Sequence, residues 1–169
     1  MRALILLYLF TFLNCSWSYG QVGMNSIKQF MSDVTLNNKR KTVVQQPYLI
    51  STKTIDLFKS ISLEDGILSI SQIDEIYSDI ILSTRFIWSE FLLDSVNFIS
   101  LQQYDSLTSK NYPFKLYKYS RPVFTKNKNY CLLFTDWECG PMCGGWYMQL
   151  YKKEKEHWAA VKTYLYSDE

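Results

Sequence analysis

The 169-residue chain is one domain's worth of polypeptide; a chain of this size buries roughly 70% of the surface its unfolded form exposes, so it needs neither a metal nor a disulfide framework to fold. A formal net charge of +2 is too small to point to nucleic acid or an anionic membrane surface as partner. Aromatic residues make up 17% of the chain, a share of large rings that favours a sheet-rich core over a helical bundle.

The first twenty residues have the form of an export signal. Arg2 supplies the positive start, Ala3 to Leu13 is an apolar run, and Ser18-Tyr19-Gly20 places small residues where a signal peptidase reads them, so cleavage is expected between Gly20 and Gln21. The eleven-residue run is too short to span a hydrocarbon layer of about 30 Å. Phe12-Leu13-Asn14-Cys15 is a competing site, a loose lipobox in which Cys15 would become a lipidated first residue and anchor the domain to a membrane. On either reading the protein leaves the cytoplasm.

The segment 21–46 is weakly patterned. Met24, Ile27, Phe30, Met31 and Val34 fall at helical spacing and predict a short helix. The following Lys39-Arg40-Lys41 reads as a solvated basic loop, and Pro47 marks the entry to a single folded domain over 47–169. Within it, Ile55, Phe58 and Ile61 form a short helical stripe. A clearer helix has Ile73, Ile76, Tyr77, Ile80 and Ile81 on one face and Asp74, Glu75 and Asp79 on the other. Ser69 with Gln72 has the form of a capping box that starts it. The carboxylates read as solvated polar-face charge rather than as a metal cluster.

Further on, alternation predicts a strand over 95–101, a polar connection over 102–112, and a strand from Phe114 to Tyr119 that ends or bulges at Arg121-Pro122, because proline cannot donate to a ladder. The most informative stretch is Tyr130 to Trp158. Tyr130, Leu132 and Phe134 alternate with Cys131, Leu133 and Thr135, and both sets are largely apolar, which predicts a central strand. After the cysteine- and glycine-rich turn Cys139 to Gly145, Trp146, Met148 and Leu150 alternate with Tyr147, Gln149 and Tyr151, so the two strands form a hairpin. A turn at 153–156 and the run Trp158 to Tyr166 add a third strand. The expected fold class is therefore α+β, with N-terminal helices packed on a C-terminal antiparallel meander of about five strands.

Ser120-Arg121-Pro122-Val123-Phe124-Thr125, the Lys/Asn turn after it, Cys139-Gly140-Pro141-Met142-Cys143-Gly144, a Lys-Lys turn and Trp158 resemble the pattern of a group of small exported bacterial envelope proteins. The resemblance covers roughly the last fifty residues, with the Ser71-Gln72-Ile73 helix start as a further point of likeness, and implies a compartment and a disulfide but no activity. The chain departs from the pattern at Glu154-Lys155-Glu156, where an Asn-Gly turn is usual, and at Cys131, where alanine is.

Removal of the signal leaves three thiols, Cys131, Cys139 and Cys143. Cys139 and Cys143 are the natural pair in an oxidising compartment, and a ring this small stabilises by about 2 kcal/mol in the chain-entropy model. Cys131, flanked by apolar strand residues, is then a buried thiol. A zinc site from the three cysteines and His157 lacks ordinary ligand spacing, and a redox role lacks the C-x2-C at a helix start that depresses a thiol pKa. A Cys/His hydrolase is opposed by the length of strand separating His157 from the turn. No cofactor, metal or catalytic set is assigned.

Trp137, Trp146 and Tyr147, beside the turn, are the candidate binding face for a protein, peptide or glycan partner. The leading reading is an exported or envelope-associated, non-enzymatic binding or structural protein, periplasmic or extracellular, with an outer-envelope lipoprotein as alternative. The competing reading is a hydrolase acting on an envelope polymer or glycan, with Asp136 and Glu138 as acid and base on one strand face.

Overall fold

The computed structural model describes residues 23–35, 41–82, 86–89, 96–108, 115–140 and 143–168. The expected signal cleavage at Gly20 and Gln21 and the alternative lipidation site Cys15 lie outside the described residues, as do Pro141, Met142, Phe114 and Lys39-Arg40. Among the described residues there are four helices and seven strands, an α+β arrangement. The helix over 23–35 is α1. Then come β1 (Thr42–Val44), α2 (Thr52–Asp65), α3 (Ile70–Leu82), β2 (Asn97–Ile99), α4 (Leu101–Thr108), β3 (Leu116–Tyr119), β4 (Val123–Phe124), β5 (Tyr130–Gly140), β6 (Cys143–Glu154) and β7 (His157–Asp168). Among the described residues no helix is long and apolar enough to cross a membrane.

The sheet order is β2-β1-β3-β5-β6-β7, with β4 also paired to β5. The meander β5-β6-β7 is antiparallel as the alternation predicts. The rest of the sheet corrects the expectation of a purely antiparallel meander, because β1 is parallel to both β2 and β3. The physical reason lies in the connections. Between β1 and β2 the chain travels through α2 and α3, and between β2 and β3 through α4, and such helical crossovers return a strand in the same direction. The three-residue strand β1 carries too little alternation to be read and comes from the weakly patterned segment 21–46, whereas β2 falls inside the strand expected over 95–101. The strand expected over 95–101 stops at Ile99, since Leu101 already opens α4 in what reads as a polar connection.

Two reciprocal capping boxes start these helices. The Ser69 amide donates to Gln72 Oε1 at 2.9 Å and the Gln72 amide to Ser69 Oγ at 3.3 Å, as expected for α3. The Ser100 amide donates to Gln103 Oε1 at 2.8 Å and the Gln103 amide to Ser100 Oγ at 3.2 Å, which gives α4 the same start. Each box satisfies helix-end N–H groups that would otherwise lack a partner.

The helices cover both faces of the sheet, not one. On the first face, α2 and α3 bury Ile55, Phe58, Ile73, Ile76 and Ile80 against Val123, Leu132, Phe134, Met148 and Leu150. The acidic side of α3 is tied down rather than simply solvated: Asp74 meets Lys59 at 2.9 Å, Glu75 accepts the Lys126 amide at 3.0 Å, and Asp79 lies 3.6 Å from Arg121. On the same face α4 places Tyr104 over Val44, Ile99 and Leu116. On the second face, α1 and Trp88 bury Ile27, Phe30 and Met31 against Cys131, Leu133, Tyr119 and Tyr151. Trp88 is fully buried; its indole N–H and its amide donate to the Tyr119 and Gln45 carbonyls, each at 3.0 Å. The β5 burial pattern follows from this two-sided cover, since both sets of alternating residues meet a helix layer.

Between β3 and β4 the chain bulges. Tyr119 is opposite Thr135 and Val123 opposite Leu132, so Ser120, Arg121 and Pro122 face two residues, Leu133 and Phe134. The proline thus falls at the one point where no ladder donor is needed.

Candidate functional site

The end of the sheet that carries the β5-β6 turn is built by two features of its sequence. Cys139 and Cys143 are at disulfide distance, with 5.1 Å between their Cα atoms. Gly140 has φ 134°, a conformation L side chains rarely adopt. A Cβ at Gly144 would stand 2.9 Å from the Trp137 carbonyl oxygen, so that close approach of β5 and β6 requires glycine. The register shifts between Glu138 and Gly140, and the bulge hands the chain into the turn.

The register divides the candidate binding residues between the two faces of the sheet. Trp137 is paired with Tyr117 and Gly145, and Tyr147 with Thr135, so Trp137 and Tyr147 share the α1 face with Tyr119. Trp146 is paired with Asp136 and stacks on Phe134 at 5.6 Å, on the α2-α3 face. Alternation accounts for this: residues of odd and even number on paired strands without a bulge between them point to opposite sides. All three side chains are half-buried.

On the α1 face the aromatic group is wider than the sequence suggests. Tyr117 and Tyr119 stack with ring centroids 6.0 Å apart, and the Lys115 amine stands 3.8 Å from the centre of the Trp137 ring. The Lys41 amine donates to the Tyr119 hydroxyl at 2.9 Å and lies 4.6 Å from the Tyr117 ring centre. Lys41 is only 8% exposed, which corrects the reading of its basic triplet as a solvated loop. It precedes the β-branched run Thr42-Val43-Val44, and this run pulls it into the sheet. Burial pushes the Lys41 amine down to about 8 and the Tyr119 and Tyr117 hydroxyls up. Thr135, fully buried between Tyr119 and Tyr147, has a hydroxyl with no hydrogen-bond partner among the described residues.

The other face at the same end is charged. Asp136 Oδ2 lies 3.7 Å from Lys118 Nζ, and the Lys118 amine also stands 3.7 Å from the centre of the Tyr104 ring. Burial raises the Asp136 carboxyl above the ordinary range; the Lys118 charge pulls it back and Glu138, two residues along the same strand face, adds to the rise. Tyr48 closes this region by stacking on Phe134 at 4.3 Å. Beside it, a cavity of about 310 Å³ is lined by Tyr48, Leu49, Ile50, Ile55 and Val123, with Arg121 among its few polar residues.

The remaining sequence candidates are not brought together. Cys131 is fully buried under α1, and burial pushes its thiol well up. His157 is at the opposite hairpin, exposed, with Nδ1 3.8 Å from Asp33. Among the described residues no group of three metal-binding side chains forms. Sequence reasoning missed Lys41, Tyr117 and Tyr119; the tyrosines alternate in β3 with Lys118, and that alternation was the available indication.

Comparison of the chain with protein-family models, curated proteins and solved structures finds no match. What the site does is therefore argued from its own chemistry.

Proposed function

We propose that the protein is an exported or envelope-associated, non-enzymatic module that binds a partner on the α1 face of the sheet, at the end held by Cys139 and Cys143. The observation that carries this reading is the cross-strand group of Trp137, Tyr117 and Tyr147 with two lysine amines against its rings. Rigid rings with few rotatable bonds supply contact area at low entropic cost and are enriched where partners dock. The short covalent ring, the glycine conformation at Gly140 and the close approach at Gly144 make the end of the hairpin stiff, which reduces what binding must order. The export signal and the resemblance to small envelope proteins support the compartment, with attachment through Cys15 as the alternative.

The test is amide and indole chemical-shift mapping of the folded protein titrated with envelope glycans and peptides. Shifts grouped at Trp137, Lys115 and Tyr147 are expected. Shifts confined to the α2-α3 side, or none with any member of the panel, would count against the reading.

A second reading, a hydrolase on an envelope polymer, is favoured by one observation. Asp136 and Glu138 share a strand face, and burial raises the Asp136 carboxyl. A carboxyl raised by burial with a second carboxyl two residues along the same strand face is an arrangement suited to a general acid and its partner. Release of new reducing ends from a glycan substrate, abolished in Asp136→Asn, would select this reading over binding alone.

A further inference from the structure

We propose that the cavity between the 47–50 segment and the β3-β4 bulge is a lipid site, which takes the alkyl chain of a monoacylglycerol and holds its uncharged glycerol head at Arg121 and Asp79. The cavity lies on the α2-α3 side of the sheet. It is separate from the α1 face, so this inference goes beyond the binding reading above and does not depend on it.

The volume comes first. Ligand pockets start at about 300 Å³, and this cavity holds about 310 Å³. An apolar cavity of about 150 Å³ is enough for benzene, so on that scale there is room for roughly twelve carbons. The floor is Ile55, Ile80 and Val123, each at most 8% exposed, while Leu49 in the same lining is 69% exposed. The space therefore runs from solvent at Leu49 down to the core.

The walls are held from both sides. Pro47 has a fixed backbone angle, the Tyr48 amide donates to the Tyr119 carbonyl at 2.9 Å, and the Tyr48 ring stacks on Phe134 at 4.3 Å. Opposite, the backbone and the hydroxyl of Ser120 both bond to Phe134, which fixes the bulge that carries Arg121. Walls fixed in this way have little freedom to collapse, and binding has little to order.

The floor selects a chain. A buried water needs about two to four polar partners, and the floor offers isoleucine and valine side chains. The Ser120 hydroxyl is already engaged, accepting from the Phe134 amide and donating to the Arg121 carbonyl. Water is poorly held there, whereas an alkyl chain gains with each methylene it buries.

The rim selects the head. Arg121 and Asp79 stand 3.6 Å apart with side chains 32% and 36% exposed. That separation is longer than a hydrogen bond, which leaves the guanidinium donors for a ligand. A carboxylate or phosphate head would meet the Asp79 charge, and an ammonium head the Arg121 charge. A hydroxyl accepts from Arg121 and donates to Asp79 at once. Thr52 adds a further hydroxyl at the exposed edge of the lining, so a glycerol head, with several donors and acceptors, matches the rim better than a single hydroxyl.

The experiment titrates the folded protein with 1-monohexanoyl-, 1-monooctanoyl- and 1-monodecanoylglycerol and with decanoate, all below the concentration at which they aggregate. The methyl signals of Ile55, Ile80 and Val123 are read by NMR. Those signals are expected to move, and binding to tighten about four-fold for each methylene added to the glyceride. Monodecanoylglycerol is expected to bind at least about ten-fold more tightly than decanoate, whose charge faces Asp79. Asp79→Asn should remove that difference. Leu49→Trp, a change at an exposed position, should narrow the mouth and abolish most of the binding. Decanoate binding to the wild-type chain as tightly as the glyceride would overturn the choice of head. Affinity independent of chain length, or no movement of the three methyl signals with any glyceride, would overturn the cavity as a lipid site. These readouts use the wild-type chain, so they decide the matter even where a variant fails to fold.

Discussion

The Ser120 hydroxyl accepts the Phe134 amide at 3.0 Å, in the place where a strand carbonyl would otherwise sit. The Ser120 amide returns a bond to the Phe134 carbonyl at 2.9 Å, so one residue spans the gap between β3 and β4 with its backbone and its side chain together. Ser120→Ala removes the acceptor at a site only 2% exposed and leaves the Phe134 N–H buried without a partner. A loss of about 1–3 kcal/mol is expected in urea unfolding, the ordinary penalty for such a group. A change below about 0.5 kcal/mol, the usual scatter of surface substitutions, would show that the bulge closes without the serine.

Gly140 and Gly144 predict a second, separable effect. Alanine at 144 brings a Cβ against the backbone oxygen of Trp137, which cannot rotate away, and the expected cost is about 1–3 kcal/mol of overpacking. Alanine at 140 meets no neighbour, so its cost comes from its φ of 134° alone, of order 1–3 kcal/mol. Thermal unfolding of the two variants and the double variant checks this. Equal stability of Gly144→Ala and the wild type would mean that the hairpin end yields more readily than its geometry implies.

The part of this fold that was legible in the sequence is the part in which one pattern runs long enough to be read. β5, β6 and β7 alternate over eleven or twelve residues each, and α3 shows both an apolar stripe and a capping box. β1 and β2, at three residues, carry at most two inward positions, and their parallel pairing depends on helices that separate them in sequence. The start of α4 was readable. Ser100 and Gln103 repeat the Ser69 and Gln72 signature, but the helix behind them has a single buried residue, Tyr104, and no stripe to draw attention to it. The site divides similarly. Trp137 and Tyr147 could be placed near the turn from local order, whereas the partnership of Lys41 with Tyr119, seventy-eight residues away, follows only from the register of β1 on β3.

Cys131 is expected to be inert in the native protein. It is fully buried beneath α1, and its thiol is raised by burial, so little thiolate is available to react. Peptide mapping after iodoacetamide treatment should find Cys131 unmodified until denaturant is added. Rapid native modification would mean that α1 detaches from the sheet on the timescale of the reaction.

The β6-β7 turn holds Lys155 at φ 56°, in the left-handed region where a side chain other than Gly, Asn or Asp is strained. Lys155→Gly should therefore stabilise the protein by about 0.5–1 kcal/mol, the strain relieved exceeding the flexibility added to the unfolded chain. Lys155→Asn should give a smaller gain in the same direction. A loss of stability in both variants would show that the Lys155 side chain contributes something its exposed position does not suggest.

Lys41 makes stability depend on alkaline pH with a sign that can be worked out. Its amine is lowered from 10.5 to about 8 in the folded protein, so between those values the unfolded state binds more protons than the folded one. Stability then rises with pH across that window. Below about 8 the full cost of burying the cation is present, and it is relieved as the amine loses its proton. Lys41→Met keeps the aliphatic stem against Tyr117 and has no proton to lose. It should be more stable than the wild type at pH 7, and the difference should shrink by pH 9.5. The upper limit of the series matters, because Tyr117 and Tyr119 are raised by burial and oppose folding once the unfolded tyrosines begin to ionise near 10. Urea midpoints at pH 7, 8, 9 and 9.5 read the effect directly. Parallel curves for the two proteins would mean that Lys41 is already neutral in the fold or already paired with an acid, and in either case burial would not be costing a lone cation there.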